Sequence, residues 1–278
     1  MLIEKNNLYN LISWYSEMGI DDVTANDLKE EIKPRKATKR KVIAEVKAGN
    51  DKDNPVNSIQ KNINFSLESP FKATAEARVL ADQVQTLEDL RAAVDNFEGC
   101  QLKKTATNTV FGEGVTNASI LFIGEAPGAT EDAEGKPFCG DSGKLLDKML
   151  ATIGLSRKEN FYITNTVFWR PPGNRQPTQQ EIEICRPFVE KHIALINPKL
   201  IVLVGSTAAT SLIGPHVQIT KIRKEYYQYK NPYLSNDIPV TAVFHPAYLL
   251  RQPLQKKTMW YDLLHLQDYI RENKLLVL

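Results

Sequence analysis

ASILFIG, residues 118–124, decides the fold, because a short apolar run that ends in glycine is typical of a strand buried on both faces. Three comparable runs follow it: FYITNTV (161–167), KLIVLVG (199–205) and PVTAVF (239–244). Parallel strands need long crossovers, and a helical pattern follows each of the first three runs. The alternation predicts an α/β fold, a three-layer αβα sandwich around a four-stranded parallel sheet. The crossover patterns are GKLLDKMLATIG, TQQEIEICRPFVEKHIALI and STAATSLIG.

Three regions are predicted along the chain. Apolar residues at helical spacing indicate a helical N-terminal segment within residues 1–32. Residues 33–70 are predicted to be a disordered linker of basic and polar residues, because they lack apolar periodicity. The lysines and arginines of this linker are either a solvated run or a tether for nucleic-acid phosphates. Residues 71–278 are predicted to form the compact domain, which opens with two helical patterns at 69–84 and 86–97 and closes with a helix at about 257–272.

Composition excludes several classes of protein. With 42% hydrophobic and 24% charged residues, the chain of 278 residues is neither fibrous nor wholly disordered. It shows no signal-peptide pattern and no run approaching the about 20 apolar residues of a membrane span. Its three cysteines suit free thiols in a reducing compartment. We therefore expect a cytoplasmic monomer that has no membrane partner.

The chemistry is concentrated after the predicted strands. GEAPGATEDAEGKPFCGDSG, residues 124–143, is rich in glycine, which lets a backbone approach a ligand closely. Its spacing matches neither known phosphate-loop pattern, and its carboxylates would repel an anion. Ligands of parallel sheets bind beyond the carboxyl ends of the strands. We therefore expect one site built from this loop, Asn165 and the segment HPAYLL that starts at His245.

Three segments together resemble a known family. The loop at 124–143 is similar to the first motif of the family 4 uracil-DNA glycosylases. TNTVFWRPPGNRQPTQQEIEICRPF (164–188) resembles the central segment of that family, and HPAYLLRQP (245–253) resembles its second motif. The resemblance covers residues 97–272 and implies hydrolysis of the N-glycosidic bond of deoxyuridine in DNA. Uracil-containing DNA is then the expected partner.

The resemblance implies roles for four side chains around a flipped base. Phe138 would stack on uracil, and Asn165 would donate to O4 and accept from N3–H. Glu125 would orient water and stabilise the cationic sugar, and His245 would hydrogen-bond O2 of the leaving base. Three of the four have a plainer interpretation: Phe138 as a core aromatic, and Asn165 and His245 as turn residues.

Further residues follow from the same motifs. Ala126 and Gly128 are expected to line the base pocket through their backbone amides, and Asp132 and Gly135 to take part in substrate binding. The segment 247–251 resembles the loop that wedges into the duplex. Its alternative interpretation is the start of a helix packed on the core. Leu249, Leu250 and Arg251 are the predicted DNA contacts.

The chain departs from the family pattern at the cofactor. Family 4 enzymes usually hold a [4Fe–4S] cluster through four cysteines, of which Cys100 and Cys185 match two. Phe97 and Trp169 stand at the other two positions and cannot ligate iron. We therefore expect no metal and no cofactor, with these aromatic side chains packed around the remaining thiols.

Two other functions stay open at this stage. A non-catalytic DNA-binding or repair-scaffold protein is one, because cluster ligands are lost and an N-terminal segment is added. A nucleotide-handling α/β enzyme is the other. A related branch traps its product through a histidine in an insert that corresponds to PPGNRQPT, which has none, so we expect turnover.

Overall fold

The computed structural model describes residues 69–276, with side chains from residue 71 onward. The predictions for the N-terminal helical segment and for nearly all of the linker lie outside these residues. The first described helix begins at Ser69, so it includes Ser69 and Pro70, the last two residues of the predicted linker. None of the helices in residues 69–276 has the length and apolar character needed to cross a membrane.

A single six-stranded sheet forms the centre of the described domain. Its strands are β1 Glu113–Gly114, β2 Ile120–Gly124, β3 Phe161–Asn165, β4 Leu200–Val204, β5 Tyr227–Tyr229 and β6 Ile238–Val243. They lie in the order β1-β3-β2-β4-β6-β5. The four predicted strands are the central members and pair in parallel, which confirms the α/β fold class. The edge strands β1 and β5 pair antiparallel with their neighbours and were not predicted, because they contain only two and three residues.

The helices cover both faces of the sheet. Within the described residues they are α1 Ser69–Gln83, α2 Leu87–Asn96, α3 Ala129–Glu134, α4 Asp141–Ala151, α5 Gln179–Ile196, α6 Ser206–Leu212, α7 Ile219–Ile222, α8 Pro246–Arg251 and α9 Gln255–Glu272. Leu121 and Ile123 of β2 share one buried cluster with residues of α1, α2 and α5. The alternate residues of the strand face the other side of the sheet, where α9 packs on β6 and α4. Thr86 and Thr178 cap α2 and α5 as predicted.

The register of the central strands places the predicted motifs side by side. Gly124, the last residue of β2, pairs with Asn165, the last residue of β3. Gly205 follows β4, and its amide donates to the carbonyl of Val243 at the end of β6. His245 comes two residues later. The segments that carry chemistry therefore meet at one edge of the sheet.

His192 on α5 is a buried core residue. Its ring stacks on Phe111, with centroids 4.3 Å apart, and its Nε2 lies 3.2 Å from the hydroxyl of Tyr162. Burial lowers the pKa of His192 from 6.5 to about 3, because the charged imidazolium is poorly solvated there. The unfolded chain therefore binds a proton in a pH range where the folded protein does not.

We expect this difference to make the protein sensitive to acid. The contribution of His192 to the free energy of unfolding is fully present above pH 6.5 and is lost as the pH falls from 6.5 to about 3. The loss is on the order of a few kcal/mol. His192→Phe should reduce the slope of the unfolding free energy in this range, measured by urea titrations at several pH values. His216→Phe, at an exposed position, is the control and should leave the slope unchanged. Equal slopes in wild type and His192→Phe would contradict the assignment.

Candidate active site

A cleft of about 950 Å³ lies at the edge of the sheet where the motifs meet. Residues from the first motif, the central segment and the second motif all line it. Seven of the residues predicted for the site therefore come together around one cavity, although their chemical roles stay predictions. They are Glu125, Ala126, Gly128, Phe138, Asn165, His245 and Arg251.

Phe138 is held in an unusual backbone conformation inside the glycine-rich loop. Its φ angle is +53°, in the left-handed backbone region that residues other than glycine rarely adopt. A Cβ atom at Gly143 would overlap the carbonyl of Phe138 and lie 2.7 Å from its Cα. A Cβ at Gly124 would collide with the Phe138 ring. These two glycines thus make room for the loop that carries the aromatic ring, a more specific role than close approach to a ligand.

Asn165 presents an unused hydrogen-bond acceptor to the cleft. The residue is only 1% exposed, and its Oδ1 atom has no hydrogen-bond partner among the described residues. Leaving a buried polar atom unpaired costs about 1–3 kcal/mol. The ring of Phe138 and the Asn165 amide both lie over Gly124, where a Cβ would be 2.5 Å from Oδ1. The cavity therefore combines an aromatic surface with a hydrogen-bond acceptor that is free to receive a ligand's donor.

His245 lines the cleft as a neutral imidazole whose Nε2–H is a hydrogen-bond donor. It is the N-cap of α8, and its Nδ1 accepts from the amide of Ala247 at 3.2 Å, which assigns the ring proton to Nε2. Burial lowers the pKa of His245 to about 4, helped by the positive charge of Arg251 and opposed by Glu131. Gly205, at φ +96°, allows the close approach, since a Cβ there would lie 2.9 Å from Cβ of His245.

Two glutamates of the loop have different surroundings. The half-buried carboxylate of Glu125 lines the cleft and accepts no hydrogen bond within residues 69–276, so it is available to water or substrate. Glu131 accepts from the amides of Gly128, Cys139 and Gly140 at 3.1, 3.0 and 2.8 Å. It therefore closes the loop on itself. The sequence interpretation assigned Glu131 no site role, although it belongs to the first motif.

The structure corrects the predictions for Asp132 and Gly135. Neither residue lines the cleft. The buried carboxylate of Asp132 accepts from the amides of Thr107 and Asn108 at 2.8 and 3.2 Å. Gly135 ends α3 with φ +68°, a left-handed C-cap that suits glycine. Both residues shape the loop from outside the cleft, Asp132 through these hydrogen bonds and Gly135 by ending α3.

The predicted DNA wedge is also corrected in part. The segment is a short helix, α8, in which Leu249 is 0% exposed and belongs to the core. The alternative interpretation, a helix packed on the core, is right for this residue, and Leu249 is not a DNA contact. Leu250 is 47% exposed, and Arg251 is exposed at the margin of the cleft. These two remain available to DNA.

Several lining residues were missed by the sequence interpretation. Arg175 and Gln176 reach the cleft from the loop before α5, and Arg175 forms an ion pair with Glu181 at 2.7 Å. Tyr248 lies within the second motif and lines the same cavity. These three residues lie inside the motifs that resemble the family, so the sequence could have indicated them. Nothing in the sequence pattern indicates Arg223, because it follows α7, a helix too short to be predicted.

The region where a cluster would be expected is filled by side chains. Phe97, Cys100, Trp169 and Cys185 are at most 1% exposed and belong to one hydrophobic cluster. The ring of Phe97 packs edge-on against Phe188, with centroids 5.1 Å apart.

The two cysteines of this region are free thiols that lie within hydrogen-bonding reach of each other. The hydrogen bond with Cys100, together with burial, holds the pKa of Cys185 well above its ordinary range, so this sulfur stays protonated. Within the described part of the chain no three His, Cys, Asp or Glu side chains are grouped to hold a metal. Two thiols enclosed by two aromatic side chains do not fit a cluster that needs four thiolates.

Comparison with known proteins agrees with the geometry. The model of the family described as the uracil DNA glycosylase superfamily matches residues 111–264. The chain is 38% identical to a type-4 uracil-DNA glycosylase of Archaeoglobus fulgidus over 61% of its own length and 86% of the relative. It is 39% identical to that of Sulfurisphaera tokodaii over 64% and 82% of the two chains. For the Thermotoga maritima enzyme the identity is 41%, over 60% and 84%.

Proposed function

The chain belongs to the uracil-DNA glycosylase superfamily, and we propose that it hydrolyses the N-glycosidic bond of deoxyuridine in DNA, releasing uracil and leaving an abasic site. The observation that carries this proposal is the unpartnered Oδ1 of Asn165, buried beside the ring of Phe138. An enzyme that acts on a base in a duplex must take that base out of the stack and read its edge. The cavity holds an aromatic ring, Phe138, that can stack on an extruded base and an amide, Asn165, that can read the edge of that base.

Asn165 accounts for selection of uracil over cytosine. Its Oδ1 accepts a hydrogen bond from N3–H of uracil, and its amide nitrogen donates to O4. Cytosine has no proton on N3 and carries a donor at position 4, so two of the site's polar groups would then stay unsatisfied. Unsatisfied buried groups discriminate strongly between substrates that differ in a single donor or acceptor. Phe138 stacks on the face of the base, and this contact does not depend on the donors and acceptors along the base edge.

His245 and Glu125 divide the chemistry. Cleavage breaks the bond between C1′ and N1, and the electron pair leaves with uracil as an anion. The neutral His245 donates from Nε2 to O2, where negative charge develops, and loses no proton in doing so. Glu125 stabilises the cationic sugar and orients the water whose hydroxyl joins C1′, while the remaining proton is released.

The first test is release of free uracil from an oligonucleotide that contains one U·A or U·G pair. Wild-type protein should release uracil from both. Glu125→Gln and His245→Asn should each lower kcat/KM by about 100-fold or more, because each removes stabilisation of charge in the transition state. Glu134→Gln, an exposed carboxylate of the same loop, is the matched control and should retain activity.

The opposite results separate the alternative functions. Wild-type protein that leaves uracil in the DNA and still binds that DNA would support a non-catalytic repair scaffold instead. The loss of two cysteines favours this alternative, whereas Glu125, Phe138, Asn165 and His245 around one cleft favour the enzyme. We further propose that the protein acts as a cytoplasmic monomer; its three free cysteines, which suit a reducing compartment, support the location.

We propose that this glycosylase works without an iron–sulfur cluster. Two observations support this. Phe97 and Trp169 are buried at two of the family's four cluster-ligand positions, and the two remaining thiols form a hydrogen bond with each other. The protein purified under strictly anaerobic conditions should be colourless and contain no stoichiometric iron or sulfide by chemical analysis. Anaerobic handling is the control, since it prevents loss of a labile cluster. Brown protein with stoichiometric iron and sulfide would overturn the proposal.

We also propose that Leu250 fills the space that the flipped base leaves in a duplex, with Arg251 binding a phosphate. Leu250→Ala should slow uracil release from double-stranded DNA by about tenfold and leave single-stranded DNA nearly unaffected, because only a duplex must be unstacked. Val79→Ala, at an exposed aliphatic residue of α1, is the control and should affect neither substrate. Equal losses on both substrates would exclude a wedge role.

A further inference from the structure

Arg157, in the turn between α4 and β3, uses all five of its N–H donors. Two of them bond to Oδ1 of Asp147, from Nε at 3.2 Å and from Nη2 at 2.8 Å. Nη1 bonds to Oε2 of Glu113 at 2.6 Å. The remaining two donate to successive main-chain carbonyls, that of Pro137 at 2.9 Å and that of Phe138 at 3.0 Å. The Arg157 side chain is only 13% exposed, so these bonds are largely shielded from water.

The carbonyls that Arg157 binds belong to a strained segment. At φ +53°, Phe138 is in a left-handed conformation that an ordinary residue keeps only when its surroundings enforce it. Gly143 clears space for the Phe138 carbonyl from one side, but a missing side chain only permits a conformation. The guanidinium supplies the attraction, because two charge-assisted bonds to adjacent carbonyls fix the direction of both peptide planes.

Two carboxylates hold the guanidinium in place from different parts of the fold. Asp147 lies on α4, and Glu113 lies on the edge strand β1. Burial raises the pKa of Asp147, and the hydrogen bond and positive charge of Arg157 oppose that shift by favouring the carboxylate. The arginine is therefore anchored on the sheet and on α4, and it transmits that rigidity to the Phe138 loop.

We propose that Arg157 is a positioning residue for uracil recognition: it clamps the Pro137 and Phe138 carbonyls and so holds the Phe138 ring parallel to the bound base. Arg157 does not line the cleft and touches neither substrate nor reacting atoms. This inference rests on the proposed glycosylase function. It assigns to the unpredicted strand β1 a part in base binding, through Glu113.

The test is a double-mutant cycle between Arg157→Lys and Phe138→Leu. Lysine keeps the charge but cannot reproduce the planar fork that reaches two carbonyls and two carboxylates. In the wild-type background, Arg157→Lys should raise KM and the inhibition constant of free uracil by about tenfold, with a smaller change in kcat. In the Phe138→Leu background, where the ring is absent, the same change should alter these constants by less than about twofold.

A matched arginine gives the control for simple loss of stability. Arg186 on α5 is also half-buried and forms a two-pronged bond, with Glu183. Arg186→Lys should lower the melting temperature without changing the inhibition constant of uracil. If Arg157→Lys behaves like Arg186→Lys, or if its effect is the same with and without the Phe138 ring, Arg157 is merely structural and the proposal is wrong.

Two further measurements keep the outcomes distinct. Binding of free uracil by calorimetry needs no catalysis, so wild-type protein that binds uracil but releases none refutes the proposed function while the clamp is still tested. Should Arg157→Lys fail to fold, Glu113→Gln and Asp147→Asn each weaken one anchor. Both should then weaken uracil binding in the same direction, and unchanged binding in both would overturn the proposal.

Discussion

The pairing of β2 with β3 brings Gly124 and Asn165 into register, and the rest of the site depends on that pairing. A side chain at position 124 would occupy the volume shared by the Phe138 ring and the Asn165 amide. The strand ends thus fix the position of the Asn165 amide, and the absent side chain at position 124 leaves room for the Phe138 ring beside it. A shift of one residue in the register would separate these two side chains, because it would turn the Asn165 side chain to the opposite face.

The sequence predicts those parts of the fold that have strong local signals. Each central strand is a continuous apolar run, and the Thr86 and Thr178 caps have specific side-chain partners, so both are recognised without knowledge of the tertiary structure. Strand β1 has no such signal. Its two residues, Glu113 and Gly114, are half-buried and are held by pairing with β3 and by Arg157, interactions that join residues far apart in the chain.

The same distinction applies to the site. Glu125, Phe138, Asn165 and His245 were predicted through their motifs, and the fold brings them to one cleft. Asp132 and Leu249 lie in the same motifs and face elsewhere, because the direction of a side chain depends on the helix that carries it. A motif thus marks residues that serve a site jointly, and it does not separate those that meet the ligand from those that hold the loop.

Helix α8 has a consequence that goes beyond the identity of its residues. Leu249 is locked in the core, and the next residue, Leu250, faces solvent on the same six-residue helix. A side chain that pushes into a base stack meets an opposing force, and a flexible loop would recoil under it. Leu249 anchors the helix in the core, so in the wedge role proposed for Leu250 any load on that side chain would pass directly into the packed interior. Two identical neighbours would then meet unrelated demands, one from packing and the other from the mechanics of the duplex.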